Sequence, residues 1–179
     1  RNTRADMIGD TSSTGLGQGF MSYLPGVGFQ VLTANELLGS ITGMNTSTAN
    51  LGLTGGGQTF TTTTVNTATL AGGANLTGFN TGSIFTLGGS GLLVLPGNST
   101  ISGGQVSQGG QTYFHILGNL NFNSYFIGTN GLSKGGAVTM TFSKAQVFTG
   151  TMTVTQGTLV LSSGQDNTLA VTTTGTAVT

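Results

Sequence analysis

From about residue 50 onward, short runs rich in Thr, Val, Leu and Phe alternate with clusters of Gly and Asn. The runs fall at 59–65, 83–87, 91–95, 112–117, 119–122, 137–142, 151–154, 157–161 and 168–171. Several show the apolar–polar alternation of period two that marks a half-buried strand. Their residues are the β-branched and aromatic types that fit a pleated surface. Before residue 50 the pattern is irregular. Residues 1–10 are polar. Residues 15–28 are Gly-rich with scattered Phe20, Met21, Tyr23 and Leu24, and residues 26–33 can form one strand. Residues 33–38 can start a single helical turn, with Thr33 as cap, Glu36 three residues on, and Gly39 to stop it.

The glycines suggest a repeat. Gly56, Gly72, Gly88 and Gly104 are each 16 residues apart, and Gly136 keeps that register, although Leu120 and Met152 interrupt it. A turn recurring at this interval, with two or three short strands between, is what a solenoid coil of about 16 residues requires. A coil cannot bury its apolar face alone, so coils stack and share one continuous core. The pattern therefore predicts an all-β chain in two parts: an irregular cap or arm over residues 1–50 and a β-solenoid over 51–179. The rival architecture is an antiparallel sandwich of immunoglobulin type. It has similar strand spacing but normally shows more charge, more Pro and a buried Trp. This chain has two Pro and no Trp.

Composition narrows the function classes. Only 4 % of the 179 residues are charged, against roughly 25 % in an ordinary soluble domain. Four Lys plus Arg cannot build the basic footprint that nucleic acid needs. The absence of Cys removes disulfides and thiolate metal sites. No apolar run approaches the ~20 residues of a spanning helix, so no membrane insertion is expected in this segment. The sequence starts at Arg1 without an apolar leader and reads as mature or excised.

Residues 131–161 resemble the autotransporter-associated β-strand repeat family. Gly131, Leu132, Lys134 and Gly136 match the opening of that pattern. Phe148, Thr149, Gly150 and Thr151 stand for its middle, with Phe in place of Tyr, and Gly157, Thr158, Leu159, Val160 and Leu161 match its end. Ala137, Val138, Thr139 and Met140 depart from the usual Gly-Thr-Leu-x-Leu while keeping the apolar alternation. The resemblance implies a right-handed parallel β-helix in a secreted or surface-displayed bacterial protein. It brings no catalytic residues with it.

Candidate chemistry is sparse. Parallel β-helices that cleave polysaccharides need clustered carboxylates. The four acids here are Asp6, Asp10, Glu36 and Asp166, three of them upstream of the repeats. No catalytic, metal or cofactor site is expected. His115, the only His, is read as a strand residue with a structural hydrogen bond or facing solvent. Lys134 and Lys144 are read as solvated turn residues. Residues 15–19 look like a dinucleotide loop only superficially, because no strand and helix frame them. Asn45, Asn75 and Asn98 begin N-glycosylation sequons, and stacked Thr and Asn are expected to form side-chain ladders. Tyr113, Phe122 and Tyr125 are candidates for glycan contact. The resulting expectation is an extracellular structural protein that self-associates, as an oligomer or fibre, through solenoid ends or the N-terminal segment. The alternative is an adhesin passenger that contacts glycans or other cells.

Overall fold

The computed structural model describes residues 3–15, 18–165, 169 and 177–178. Upstream of the coils, β1 (Thr3–Asp10), β2 (Gln18–Leu24) and β3 (Gly28–Val31) pair antiparallel in the order β1-β2-β3. The segment whose pattern is irregular thus contains a regular sheet. Its strands are broken by a register shift between Arg4 and Ile8, which hides the alternation. A single 3-10 turn follows at Ala34–Glu36. There the Glu36 carboxylate accepts the Thr33 backbone N–H at 2.9 Å and its hydroxyl at 3.0 Å. The turn ends without the aid of Gly39: the chain passes directly into β4 (Leu37–Leu38), which pairs in parallel with β5 (Asn50–Thr54).

From β4 on the chain is a β-solenoid, coiling through three faces in succession. The first face stacks β5, the second half of β7 (Thr62–Ala71), the second half of β9 (Ile84–Val94), β11 (Thr112–Ile116), β13 (Leu132–Gly135), β15 (Thr151–Val154) and β17 (Ala177–Val178). The second stacks β6 (Gly57–Phe60), β8 (Asn75–Gly78), the first half of β10 (Asn98–Gln108), the first half of β12 (Asn119–Ile127), β14 (Thr139–Phe142) and β16 (Thr158–Leu161). The third carries the first halves of β7 and β9, the second halves of β10 and β12, and then Gln146, which forms a parallel bridge to Leu169. The long strands bend from one face to the next where their register shifts, between Val65 and Thr67 and between Ser102 and Gln105. Parallel pairing along the axis satisfies the backbone, which a sandwich would do with hairpins. Pairing among the coils is parallel throughout, so the sandwich alternative fails.

The coil is longer than the glycine spacing predicts. Asn50 pairs with Thr67, 17 residues on, Thr67 with Gly91, 24 on, and Tyr113 with Ser133, 20 on. Gly56 and Gly72 turn the corner between first and second faces, Gly104 turns the next corner, and Gly88 lies at the third. The series of 16 therefore drifts around the coil. A real corner column runs through Gly73 and Gly97. Gly97 has φ +135°, and a Cβ there would lie 2.6 Å from the Gly73 nitrogen, so coil stacking leaves no room for a side chain.

Inward positions form columns along the axis. Leu51, Ala68, Leu92, Phe114, Lys134 and Val154 are in register on the first face, and Leu76, Ile101, Phe122, Phe142 and Leu161 on the second. Phe114, Phe122, Phe126, Phe142 and Phe148 form a connected aromatic chain with centroids 5.2–6.1 Å apart. Fully burying one such side chain contributes about 1.5–3 kcal/mol. Sharing the core between coils lets a modest apolar content suffice. One end is closed: residues 34–49 cross it and bury Ile41 and Met44 in the core.

The β1-β2-β3 sheet lies on the flank of the solenoid. Phe20 and Leu32 pack with Leu93 of the first face in a second, smaller core, joined by Ile8, Leu37, Leu95 and Leu117. The Asn50 side-chain oxygen, buried in this seam, accepts from Thr3 Oγ1 (3.3 Å), Asn66 Nδ2 (2.8 Å) and Thr67 Oγ1 (2.9 Å).

Candidate functional surfaces

The acids do not converge among the described residues. Asp6 pairs with Arg4 on exposed β1, with Nη2 to Oδ2 at 2.7 Å and Nε to Oδ1 at 2.9 Å, and this pairing holds the Asp6 carboxyl below its ordinary value. Asp10 Oδ1 accepts the backbone N–H of Ser12 at 2.7 Å, organising the turn after β1. Glu36 braces the 3-10 turn. Asp166 lies outside the described residues, as does part of the 15–19 loop. No group of three or more His, Asp or Glu is arranged to hold a metal among the described residues.

His115 is placed by alternation on the outer side of the first face, and the flanking sheet then covers it. Its Nε2 is 2.8 Å from the Ala5 carbonyl, and its ring meets Phe20 edge-on at 5.8 Å. A carbonyl only accepts, so Nε2 carries the proton and Nδ1, which faces Gly135, is the site that titrates. Burial pushes the His115 pKa down, against the smaller upward pull of the Ala5 carbonyl and Asp6. The folded state therefore binds this proton less readily than the unfolded chain. Stability is fully present above the ordinary histidine value of 6.5 and is lost as pH falls through the lowered value. Between about pH 7.5 and pH 5 the melting temperature of the native protein should fall more than that of His115→Gln, which keeps an N–H donor but has no proton to gain. Parallel pH slopes for the two proteins would remove His115 from this role.

Lys134 is not the solvated turn residue that its Gly-rich neighbourhood suggests. It is fully buried in the first-face column, and Nζ donates to the carbonyls of Gly136 (2.9 Å) and Gln156 (2.8 Å), at the same corner of two successive coils. Burial pushes its pKa down. Gln146 acts similarly on the third face: its buried side chain accepts the Phe126 N–H (2.7 Å) and donates to the carbonyls of Lys144 (2.7 Å) and Ser124 (3.2 Å). Lys144 extends outward, with Nζ 4.7 Å from the centre of the Tyr125 ring.

The outer side of the second face carries the expected polar ladders. Asn119 Nδ2 donates to Asn98 Oδ1 (3.0 Å), the Thr100 N–H donates to Asn75 Oδ1 (2.8 Å), and Ser143 Oγ donates to Asn121 Oδ1 (2.5 Å). Two of the three sequon asparagines, Asn75 and Asn98, are therefore engaged in the ladder, while Asn45 sits exposed in the loop that closes the solenoid end. The aromatic set proposed for glycan contact is not on one surface. Phe122 is buried in the core, Tyr113 is half-buried on the first face, and Tyr125 lies on the third beneath Lys144. The alternation of Leu120 with Phe122 is the signal that places Phe122 inward.

Two apolar surfaces were not legible from local pattern. One is the tip of the β2–β3 hairpin, where Tyr23, Val27 and Phe29 are 52 %, 61 % and 48 % exposed. The other is a cleft of about 350 Å³ where residues 32–39 cross the first face, walled by Phe20, Leu32, Leu37 and Leu95. Compared with known proteins, the chain matches no family model, no curated protein and no solved structure.

Proposed function

We propose that this chain is an extracellular structural protein without catalytic activity: a solenoid building block of a bacterial surface fibre, sheath or matrix, which associates with further copies at its open end. The observation that carries this reading is Leu161. It continues the inward column of Phe122 and Phe142, yet it is 48 % exposed. Leu161 is thus an apolar inward position that stands half-exposed on β16. The opposite end is closed by residues 34–49. An open parallel edge with apolar inward positions is a template for another strand.

Three further features favour this reading. Few charges oppose association. The residues that carry the family resemblance have coil-building positions: Lys134 bonds the corner, Gly136 turns it, and residues 158–161 are β16. Tyr113, Phe122 and Tyr125 share no surface, which removes the aromatic platform on which the adhesin reading rests.

Sedimentation across a concentration series tests the proposal. The native chain should assemble, and Leu161→Lys should remain monomeric with a nearly unchanged melting temperature, because the residue is half-exposed. A native chain that stays monomeric at high concentration would overturn the reading.

A further inference from the structure

The seam between the β1-β2-β3 sheet and the solenoid is built differently from the coils. The three strands form a sheet of their own, apart from the parallel ladders of the solenoid. Phe20, Leu32 and Leu93 make a small core at the seam, and none of them belongs to the larger cluster that fills the coils. Phe20 rests its ring on the backbone of Gly91, where a Cβ would lie 2.9 Å from the ring. Polar contacts tie β1 across the seam at two of its residues: Thr3 Oγ1 donates to Asn50 Oδ1 at 3.3 Å, and His115 Nε2 donates to the Ala5 carbonyl at 2.8 Å. The chain leaves the sheet through Thr33, Ala34 and Asn35, all exposed, before Leu37 joins the coils. Opening the seam about this short link leaves the solenoid core intact, the arrangement that local unfolding requires.

We propose that protonation of His115 releases the β1-β2-β3 sheet from the flank of the solenoid while the coils stay folded. His115 is the only histidine of the chain and there is no cysteine, so no other side chain has an ordinary charge change between about pH 5 and pH 8. The neutral ring suits the closed seam. Its Nε2–H is satisfied by Ala5, and its Nδ1 faces Gly135, which brings no side chain to accept from a second N–H. Adding a proton there puts a cation beside Phe20 and Leu93. Burial opposes that charge more than the Ala5 carbonyl and Asp6 support it. With the sheet released, the imidazolium reaches water. Docking is therefore strongest above the ordinary histidine value of 6.5 and weakens as pH falls below it.

The charged and titratable groups on the surrounding strands leave this balance in place. On β1, Asp6 adjoins Ala5, but its exposed carboxylate is held by Arg4, whose positive charge offsets it. On β11 the nearest such group is the phenol of Tyr113. On β13, Lys134 sends its amine inward to the carbonyls of Gly136 and Gln156, away from the seam. From β2 and β9 the ring meets Phe20 and Leu93, which carry no charge at any pH. Opening uncovers Leu93, with half-buried Leu95 and Leu117 beside it, as an apolar stripe on the outer side of the first face.

A melting temperature reports that a proton is taken up but not where the structure yields. Native-state hydrogen exchange, expressed as protection relative to the free-peptide rate at each pH, locates it. From about pH 7.5 to pH 5, protection in β1, β2 and β3 should fall by about tenfold or more, while β7, β9 and β12 keep theirs. His115→Gln retains an N–H donor with no proton to gain, and His115→Phe fills the site with a ring that never charges. Both variants should hold the sheet's protection across this range, and the second stands in if the first fails to fold. A native sheet equally protected at both pH values would overturn the proposal. So would loss of protection in sheet and coils together, or the same loss in either variant.

Discussion

Replacing Phe122 by Ala is expected to lower the unfolding free energy by about 3–5 kcal/mol, the range for truncating a large buried aromatic. Phe122 is fully buried and its ring meets Phe114, Phe126 and Phe142 at 5.9, 6.1 and 5.5 Å. The substitution opens a void between coils. Its neighbours cannot close in, because each is held by strands locked in parallel register on both sides. Phe122→Leu keeps most of the volume and should cost clearly less. Phe79→Ser, at a residue 71 % exposed, is the control and should leave stability nearly unchanged. Equilibrium denaturation of the three variants makes the comparison. A small loss for Phe122→Ala would mean that the aromatic chain does not hold the coils together.

Lys134→Ala is expected to cost about 2–4 kcal/mol, combining a lost buried stem with two carbonyls left without donors. Nζ bonds Gly136 in its own coil and Gln156 in the next, so the lysine ties the same corner of two successive coils. Lys134→Met separates the two contributions. It keeps the stem and removes the donors, and should still cost about 1–3 kcal/mol. A Met variant as stable as the native chain would show that only the stem matters. The lowered lysine pKa adds a sign. As pH rises toward the ordinary value of 10.5, the folded chain sheds this proton before the unfolded one, so this group's contribution to stability increases in that window. The neutral amine keeps two N–H groups, enough for both carbonyls.

The order of legibility along the chain follows from how local each signal is. The alternation in residues 119–122 states which side chains face inward, because strand geometry has a period of two and needs no partner to be read. Glycine spacing does not report the coil length, because glycine marks any tight corner and a three-faced coil has three of them. Gly56, Gly88 and Gly104 belong to different corners, and equal spacing joined what the fold separates. The burial of Lys134 is hidden for a related reason. Flanked by Gly135 and Gly136, it looks like a turn residue, yet its register with Phe114 and Val154 points it into the core. Neither partner is within ten residues of it in sequence. The antiparallel sheet at the start of the chain is not legible in the sequence because its pairing contains a register break and its covered face is completed by Leu93 and His115, far downstream.

The sequence by itself determined that the chain is all-β and that its short strands stack as a solenoid. Each of these depends on composition or on a period of two, which are properties of adjacent residues. Tertiary structure decided the rest: the length of each coil, the burial of Lys134 and Phe122, and the covering of His115. These depend on which residues stand above one another after a full coil. That offset varies from 17 to 26 residues between β5 and β17 on the first face, so no fixed spacing in the sequence encodes it. Only the closed ladder of backbone hydrogen bonds fixes it.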